Sequence, residues 1–112
     1  MTVNITTRRM DKTAILDISG DIDLAHSGEF RRVVLVELRE NRTPKVILNL
    51  LDVNYIDSSG VASLVEGLKA SRDVGARMIL VGLSPIAYEV LQLSKLLKVF
   101  EIYDTEALAL ES

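Results

Sequence analysis

Two adjacent stretches decide the fold: Val46-Ile47-Leu48-Asn49-Leu50-Leu51 and, a few residues on, Asp57-Ser58-Ser59-Gly60-Val61. The first is a short, near-continuous apolar run of the kind found in a strand covered on both faces, and so central in its sheet. After the second, Val61, Leu64, Val65 and Leu68 recur at i, i+3, i+4 and i+7, the spacing of a helix that starts within or just after Asp57-Ser58-Ser59-Gly60. A buried strand that feeds directly into a helix is half of a β–α–β unit.

Downstream, Gly75 ends that helix and Met78-Ile79-Leu80-Val81 supplies the next buried strand. Gly82 closes it, and Pro85 opens a third helix that runs through about Leu93. A short strand over residues 99–102 and a helical tail over 105–110 complete the chain. Upstream, Phe30, Val33, Val34 and Leu38 predict an amphipathic helix over 27–41, ahead of Pro44. Residues 3–9 and 14–18 are rich in β-formers and flank the turn Met10-Asp11-Lys12, which gives an opening hairpin whose second strand stops at Gly20.

A hairpin followed by strand–helix alternation predicts an α/β fold: a mostly parallel sheet of about four to five strands, with one antiparallel edge strand, packed with about four helices. In such sheets the functional loops gather at the carboxyl ends of the strands. Loops 20–23, 52–59 and 82–84 are therefore expected on one rim. With 112 residues the chain is read as a single domain, 1–112, without repeat or linker.

Apolar residues make up 48% of the chain and aromatic ones 4%, so the core is aliphatic. Thirteen Lys and Arg against 16 Asp and Glu leave a net charge of −3, which argues against direct nucleic-acid binding. The chain has no cysteine, and its single histidine, His26, cannot assemble a zinc site alone. No run approaches the roughly 18 apolar residues of a spanning helix. A soluble, cytoplasmic protein without membrane insertion is expected. A G-x-x-x-x-G-K phosphate loop is missing, since Gly67-Leu68-Lys69 lies inside a helix without the upstream glycine, so no nucleotide cofactor is expected.

Asp and Ser are preferred N-caps, and Asp57-Ser58-Ser59-Gly60 reads first as a capping sequence. Unpaired N–H groups and the positive end of the helix dipole also suit a phosphate on Ser58. Asp21, Asp23, Asp52 and Asp57 fall on the expected rim, where clustered carboxylates are suited to hold Mg²⁺ or to order Ser58 but mostly serve as solvated loop acids; no metal site is assigned. No His, Cys or Lys stands near Ser58 in sequence to activate a nucleophile, so the chain is not read as an enzyme. Small residues Gly60, Ala62, Ser63 and Gly67 on the following helix allow close approach, either of a partner or of the protein's own sheet.

In Ser19-Gly20-Asp21-Ile22-Asp23, in Tyr55-Ile56-Asp57-Ser58-Ser59-Gly60-Val61 and in Gly82-Leu83-Ser84-Pro85, the chain resembles the STAS domains, and within them the bacterial anti-sigma factor antagonists. The resemblance covers nearly the whole chain in order. It implies partner switching, in which the unphosphorylated antagonist binds an anti-sigma factor that is also a serine kinase, phosphorylation ends the binding, and a phosphatase restores it. The phosphorylated residue of the family's D-S-[ST]-G motif corresponds to Ser58. Asp57 matches the motif aspartate, and Asp21 and Asp23 match acids lining the site. Ser59 and Gly60 complete the supporting set, with Ala62, Ser63 and Ser84 as a candidate partner surface. Related STAS proteins also serve as stressosome scaffolds and as soluble subunits of lipid-transport ABC systems, the alternative functional reading. Val61-Ala62 replaces the Leu-Gly of many antagonists, and Ala25-His26-Ser27 replaces a small Thr-Ala pair. Both departures bear on partner choice more than on fold.

Overall fold

The computed structural model describes residues 2–112, and Met1 lies outside the described residues. Five strands, β1 (Val3–Met10), β2 (Thr13–Ile22), β3 (Lys45–Ile56), β4 (Arg77–Val81) and β5 (Glu101–Tyr103), form one sheet in sequence order. β1 is the antiparallel edge strand and every other pair is parallel. Four helices, α1 (Ser27–Leu35), α2 (Ser58–Val74), α3 (Pro85–Leu93) and α4 (Glu106–Glu111), complete the fold. The expected α/β architecture, with its single antiparallel edge, is the observed one.

The period-2 alternation of the strands sorts their side chains onto two faces. Leu16, Ile18, Leu48, Leu50 and Leu80 join Phe30 and Val34 of α1, Leu64 and Leu68 of α2 and Leu91 of α3 in the main core. Ile15, Ile47, Ile79 and Val81 point the other way, where Ala109 of α4 packs on them. Each fully buried Leu or Ile is worth about 1.5–3 kcal/mol, so both clusters stabilise the central strands.

β3 is longer than its apolar run. It continues from Leu51 to Ile56, and segment 52–56, expected as loop, is strand. Two register shifts against β2 explain the difference: Asp17 and Ser19 face Asn49 and Asp52, while Gly20 and Asp21 face Val53 and Tyr55. Each inserts one extra residue on β3, a bulge that reverses which parity points inward. Val53 and Ile56 therefore stay buried although they break the alternation set by Val46, Leu48 and Leu50. Gly20 does not stop β2 either. It holds φ +93° inside the strand, and a β-carbon there would lie 2.1 Å from the Thr2 carbonyl oxygen.

The helix expected over 27–41 is regular only to Leu35, and its last turn, Val36–Glu40, is π-helical. Glu37 sits in that turn and is 5% exposed. Its carboxylate accepts the Thr43 hydroxyl at 2.8 Å, the Asn41 amide at 3.2 Å and the Arg9 guanidinium at 2.5 Å. These bonds satisfy a buried carboxylate at the helix end.

Candidate functional site

The extension of β3 delivers Asp57 to the rim of the sheet. Asp57 takes extended backbone angles as the N-cap of α2, and its Oδ1 accepts the amides of Ser59 at 2.9 Å and Gly60 at 3.1 Å. Its carbonyl accepts the Val61 amide. Its second oxygen, Oδ2, accepts the Leu24 amide at 3.0 Å. One carboxylate thus ties the first turn of α2 to the loop that follows β2.

Gly60 makes this junction possible. A β-carbon there would stand 2.2 Å from the Ile22 carbonyl oxygen and 3.0 Å from side-chain carbons of Ile22 and Ile56. The first turn of α2 rests directly on the ends of β2 and β3, and only glycine lets the backbones come that close. Ser58 is the first residue of α2 and is exposed, whereas Ser59 is half-buried.

The loop beside it is held from within. Asp23 Oδ1 accepts the His26 amide at 3.0 Å and lies 2.6 Å from His26 Nδ1. Desolvation opposes ionisation of Asp23, yet the hydrogen bonds and charge of His26 outweigh it and hold the carboxyl below its ordinary range. The Ser63 hydroxyl donates to the carbonyls of Ser59 and, at 3.4 Å, of Ser27, and so ties α2 to the start of α1.

The four aspartates expected to converge are separated by the fold. Asp23 and Asp57 are joined through the Leu24 segment. Asp21 is 7% exposed, and its Oδ1 has no hydrogen-bond partner among the described residues. Asp52 is exposed on the far face of the sheet, beside a 230 Å³ cavity that Asp17, Ser19 and Asn49 also line. The bulge between Asn49 and Asp52 turns it there. Two further expectations change. Asp57 already takes the amides of Ser59 and Gly60, so a phosphate on Ser58 does not meet those N–H groups free. Of the expected partner surface, Ala62 is exposed, but Ser63 is 6% and Ser84 3% exposed. Ser84 caps α3 by accepting the Ala87 amide, and its own amide donates to Leu50, level with the middle of β3, because β4 ends opposite Asn49.

No role at the site is assigned to Leu24 or Tyr55 from sequence. Leu24 is 77% and Tyr55 48% exposed, flanking the site on the post-β2 loop and on β3. The available signal was an apolar residue in a polar loop, out of phase with any helix or strand. Among the described residues no group of three acidic, His or Cys side chains is placed to hold a metal ion, and no helix is long and apolar enough to cross a membrane.

A family model described as the STAS domain matches residues 4–109. An anti-sigma-B factor antagonist of Staphylococcus aureus is 31% identical over 84 residues, 75% of this chain and 77% of that protein. An anti-sigma F factor antagonist of Paenibacillus polymyxa is 28% identical over 97 residues, 86% and 82% of the two chains. Among solved structures, a candidate anti-sigma factor antagonist from Thermotoga maritima superposes with a TM-score of 0.88 at 28% identity, over 96% of this chain and 92% of that one. The antagonist SpoIIAA in its unphosphorylated form shares the fold, with a TM-score of 0.74 at 21% identity over 96% of both chains. A two-bulged β3 running into an Asp-capped, glycine-packed helix thus sits within a matching family and fold, and the chain belongs to the STAS domain family, among its anti-sigma factor antagonists.

Proposed function

We propose that this chain works by partner switching: unphosphorylated, it binds an anti-sigma factor that is also a serine kinase, and phosphorylation of Ser58 releases it. The observation that carries this reading is the position of Ser58, exposed at the first residue of α2 beside the Asp57 cap. Leu24, whose amide donates to Asp57, and Ala62, in the following turn of α2, supply exposed apolar ground near it, and Asp23, Asp57, Ser59 and Gly60 hold its geometry. A phosphate adds about −1.5 to −2 charges at neutral pH. Asp57 occupies the amides of Ser59 and Gly60, so the added charge gains the helix dipole but not those hydrogen bonds, and it stands next to the Asp57 carboxylate. The net effect opposes binding. ATP and metal come from the kinase, a serine phosphatase resets the site, and the exchange takes place in the cytoplasm.

The test is a pull-down from the native host with wild-type protein and Ser58→Ala, followed by mass spectrometry. The expected result is a shared kinase-type partner, with phosphate on Ser58 of the wild-type chain alone. Recovery of a permease and ATPase in its place would support the transporter-subunit reading. The purified chain alone is expected to turn over neither ATP nor GTP, and steady hydrolysis abolished by Asp57→Ala would overturn that expectation.

A further inference from the structure

The opposite end of the sheet carries a second polar cavity, of about 410 Å³, between the β1–β2 turn and the segment that joins α1 to β3. Arg9, Asp11, Lys12, Asn41, Arg42 and Thr43 line it. Three of these are cations and one is an acid, on a chain whose net charge is −3. Neither Lys12 nor Arg42 makes an ion pair among the described residues, while Arg9 is held by Glu37. The buried Glu37 carboxylate also takes the Asn41 amide and the Thr43 hydroxyl, which fixes three lining side chains before any ligand arrives.

The backbone is unusual at the same place. Arg42 has φ +53° and Asp11 φ +55°. Arg42 is the left-handed residue that ends the α1 segment, and the Thr43 amide beyond it donates to the Glu37 carbonyl. At the end of α2 the same task falls to Gly75, with φ +73°. Left-handed angles suit glycine and strain a residue with a β-carbon, so capping alone favours glycine over arginine at position 42. Lys95 takes a similar angle, φ +59°, after α3, so a helix end tolerates a long cation there; what sets Arg42 apart is that it opens, unpaired, onto a cavity lined by two further cations.

We propose that this basal cavity binds a small molecule through a phosphate group, held by the Arg42 guanidinium and the Lys12 ammonium with Arg9 alongside. A guanidinium fork matches phosphate oxygens two at a time, and the ammonium adds a compact charge. The volume falls in the range of small-ligand sites, about 300–1,000 Å³, and so leaves room for the body of the molecule besides its phosphate. The site shares no residue with the Ser58 rim and stands whether or not partner switching does.

The experiment is an amide-resolved NMR titration of the full chain with inorganic phosphate, with glycerol 3-phosphate and with phosphatidylcholine vesicles carrying phosphatidic acid. The expected result is saturable shifts at residues 11–13 and 41–43 that weaken as salt rises, with tighter binding of glycerol 3-phosphate than of inorganic phosphate. Response to the soluble phosphomonoester assigns a metabolite, and response to the vesicles alone assigns a lipid headgroup; each keeps the phosphate chemistry. Arg42→Gly and Lys12→Ala should each weaken binding about tenfold or more, the worth of a charge-assisted hydrogen bond. Arg42→Gly relieves the strained φ, so its melting temperature should not fall, which separates lost binding from lost fold. Ser58→Ala should bind as wild type does. Absence of saturable shifts at these residues with all three probes, or undiminished binding by Arg42→Gly, would overturn the proposal.

Discussion

Toward the carboxyl ends of β2 and β3 the chain carries Asp21, Asp23 and Asp57, and toward their amino ends Arg9, Lys12 and Arg42. Helix direction accounts for part of this contrast. α2 begins at the acidic rim with Asp57 as its cap, while Arg39 and Arg72 stand in the last turns of the α1 segment and α2. Acids near helix N-termini and cations near C-termini complement the macrodipoles. What differs is how much charge remains once capping is complete. At the rim Asp57 alone bonds three first-turn amides through its side chain and carbonyl, and the exposed hydroxyl of Ser58 takes no part in the cap. At the base Gly75 ends α2 without strain, whereas Arg42 ends α1 with it. In both places the residue that exceeds the structural need is the one to which chemistry is assigned.

The strongest challenge to that comparison is charge placed at Ser58. Phosphoserine, or Ser58→Glu, should weaken partner binding by several kcal/mol, the cost of juxtaposing like charges in an interface. Ser58→Ala should bind constitutively, and Ser59→Ala should remain phosphorylatable and switchable. Calorimetry with the cognate kinase measures all four forms. Equal affinity of the phosphorylated and unphosphorylated forms would remove the distinction between Ser58 and an ordinary first-turn serine.

Next in size are two glycine substitutions that separate a packed helix start from an open one. Gly60→Ala should destabilise the fold by about 1–3 kcal/mol, because its β-carbon meets the Ile22 carbonyl and something must move. Gly28→Ala, in the first turn of α1 with nothing within 4 Å, should be neutral or stabilising by up to about 0.5–1 kcal/mol. Urea denaturation of the two variants should therefore give shifts of opposite sign. A smaller effect follows from the cap itself. Asp57→Ala should cost about 0.5–2 kcal/mol, while Asp57→Asn, which keeps an accepting oxygen, should lose less.

These effects also show where sequence was readable. The apolar run Val46 to Leu51 announced a central strand because its neighbours cover both faces, and the spacing of Val61, Leu64, Val65 and Leu68 announced α2 because one stripe packs on the sheet. The stretch between them reads as loop because each bulge resets the alternation, and Val53, Tyr55 and Ile56 carry no single period. Glu37 was hidden for a related reason. Its partners Asn41 and Thr43 follow it closely in the chain, but Arg9 comes from β1, 28 residues away, and no local pattern predicts that it will meet them. The direction of Asp52 depends on the first of these bulges, so its residue type is visible in the sequence and its surroundings are not. Asp57 as cap was legible from local preference, but its second bond to Leu24 was not.

The smallest expected effect concerns acid. The Arg8 guanidinium holds Asp17 below the usual carboxylate range against the opposing desolvation, and Arg77 does the same for Glu101. Asp23 is lowered as well, although there desolvation is the largest influence and His26 must overcome it. In each case the folded carboxyl releases its proton at lower pH than the unfolded one, whose pKa is about 3.9 for Asp and 4.3 for Glu. Between the two values the unfolded chain binds more protons, so stability rises with pH there. The contribution is complete above the unfolded pKa and is lost as pH falls through the folded one. Arg8 also reaches Glu106 at 2.5 Å, so the same guanidinium joins β1, β2 and α4. Arg8→Ala should lower stability above the unfolded carboxylate range, modestly because these pairs are partly exposed and screened, and leave the acid extreme unchanged, which flattens the acid limb; it should also loosen α4. His26→Ala acts only on the rim: the Asp23 carboxyl should titrate closer to its ordinary value, as followed by carbon-13 NMR, with the acid limb almost unmoved. If Arg8→Ala left the acid limb as steep as in the wild type, the clamp across the sheet would not be what acid breaks.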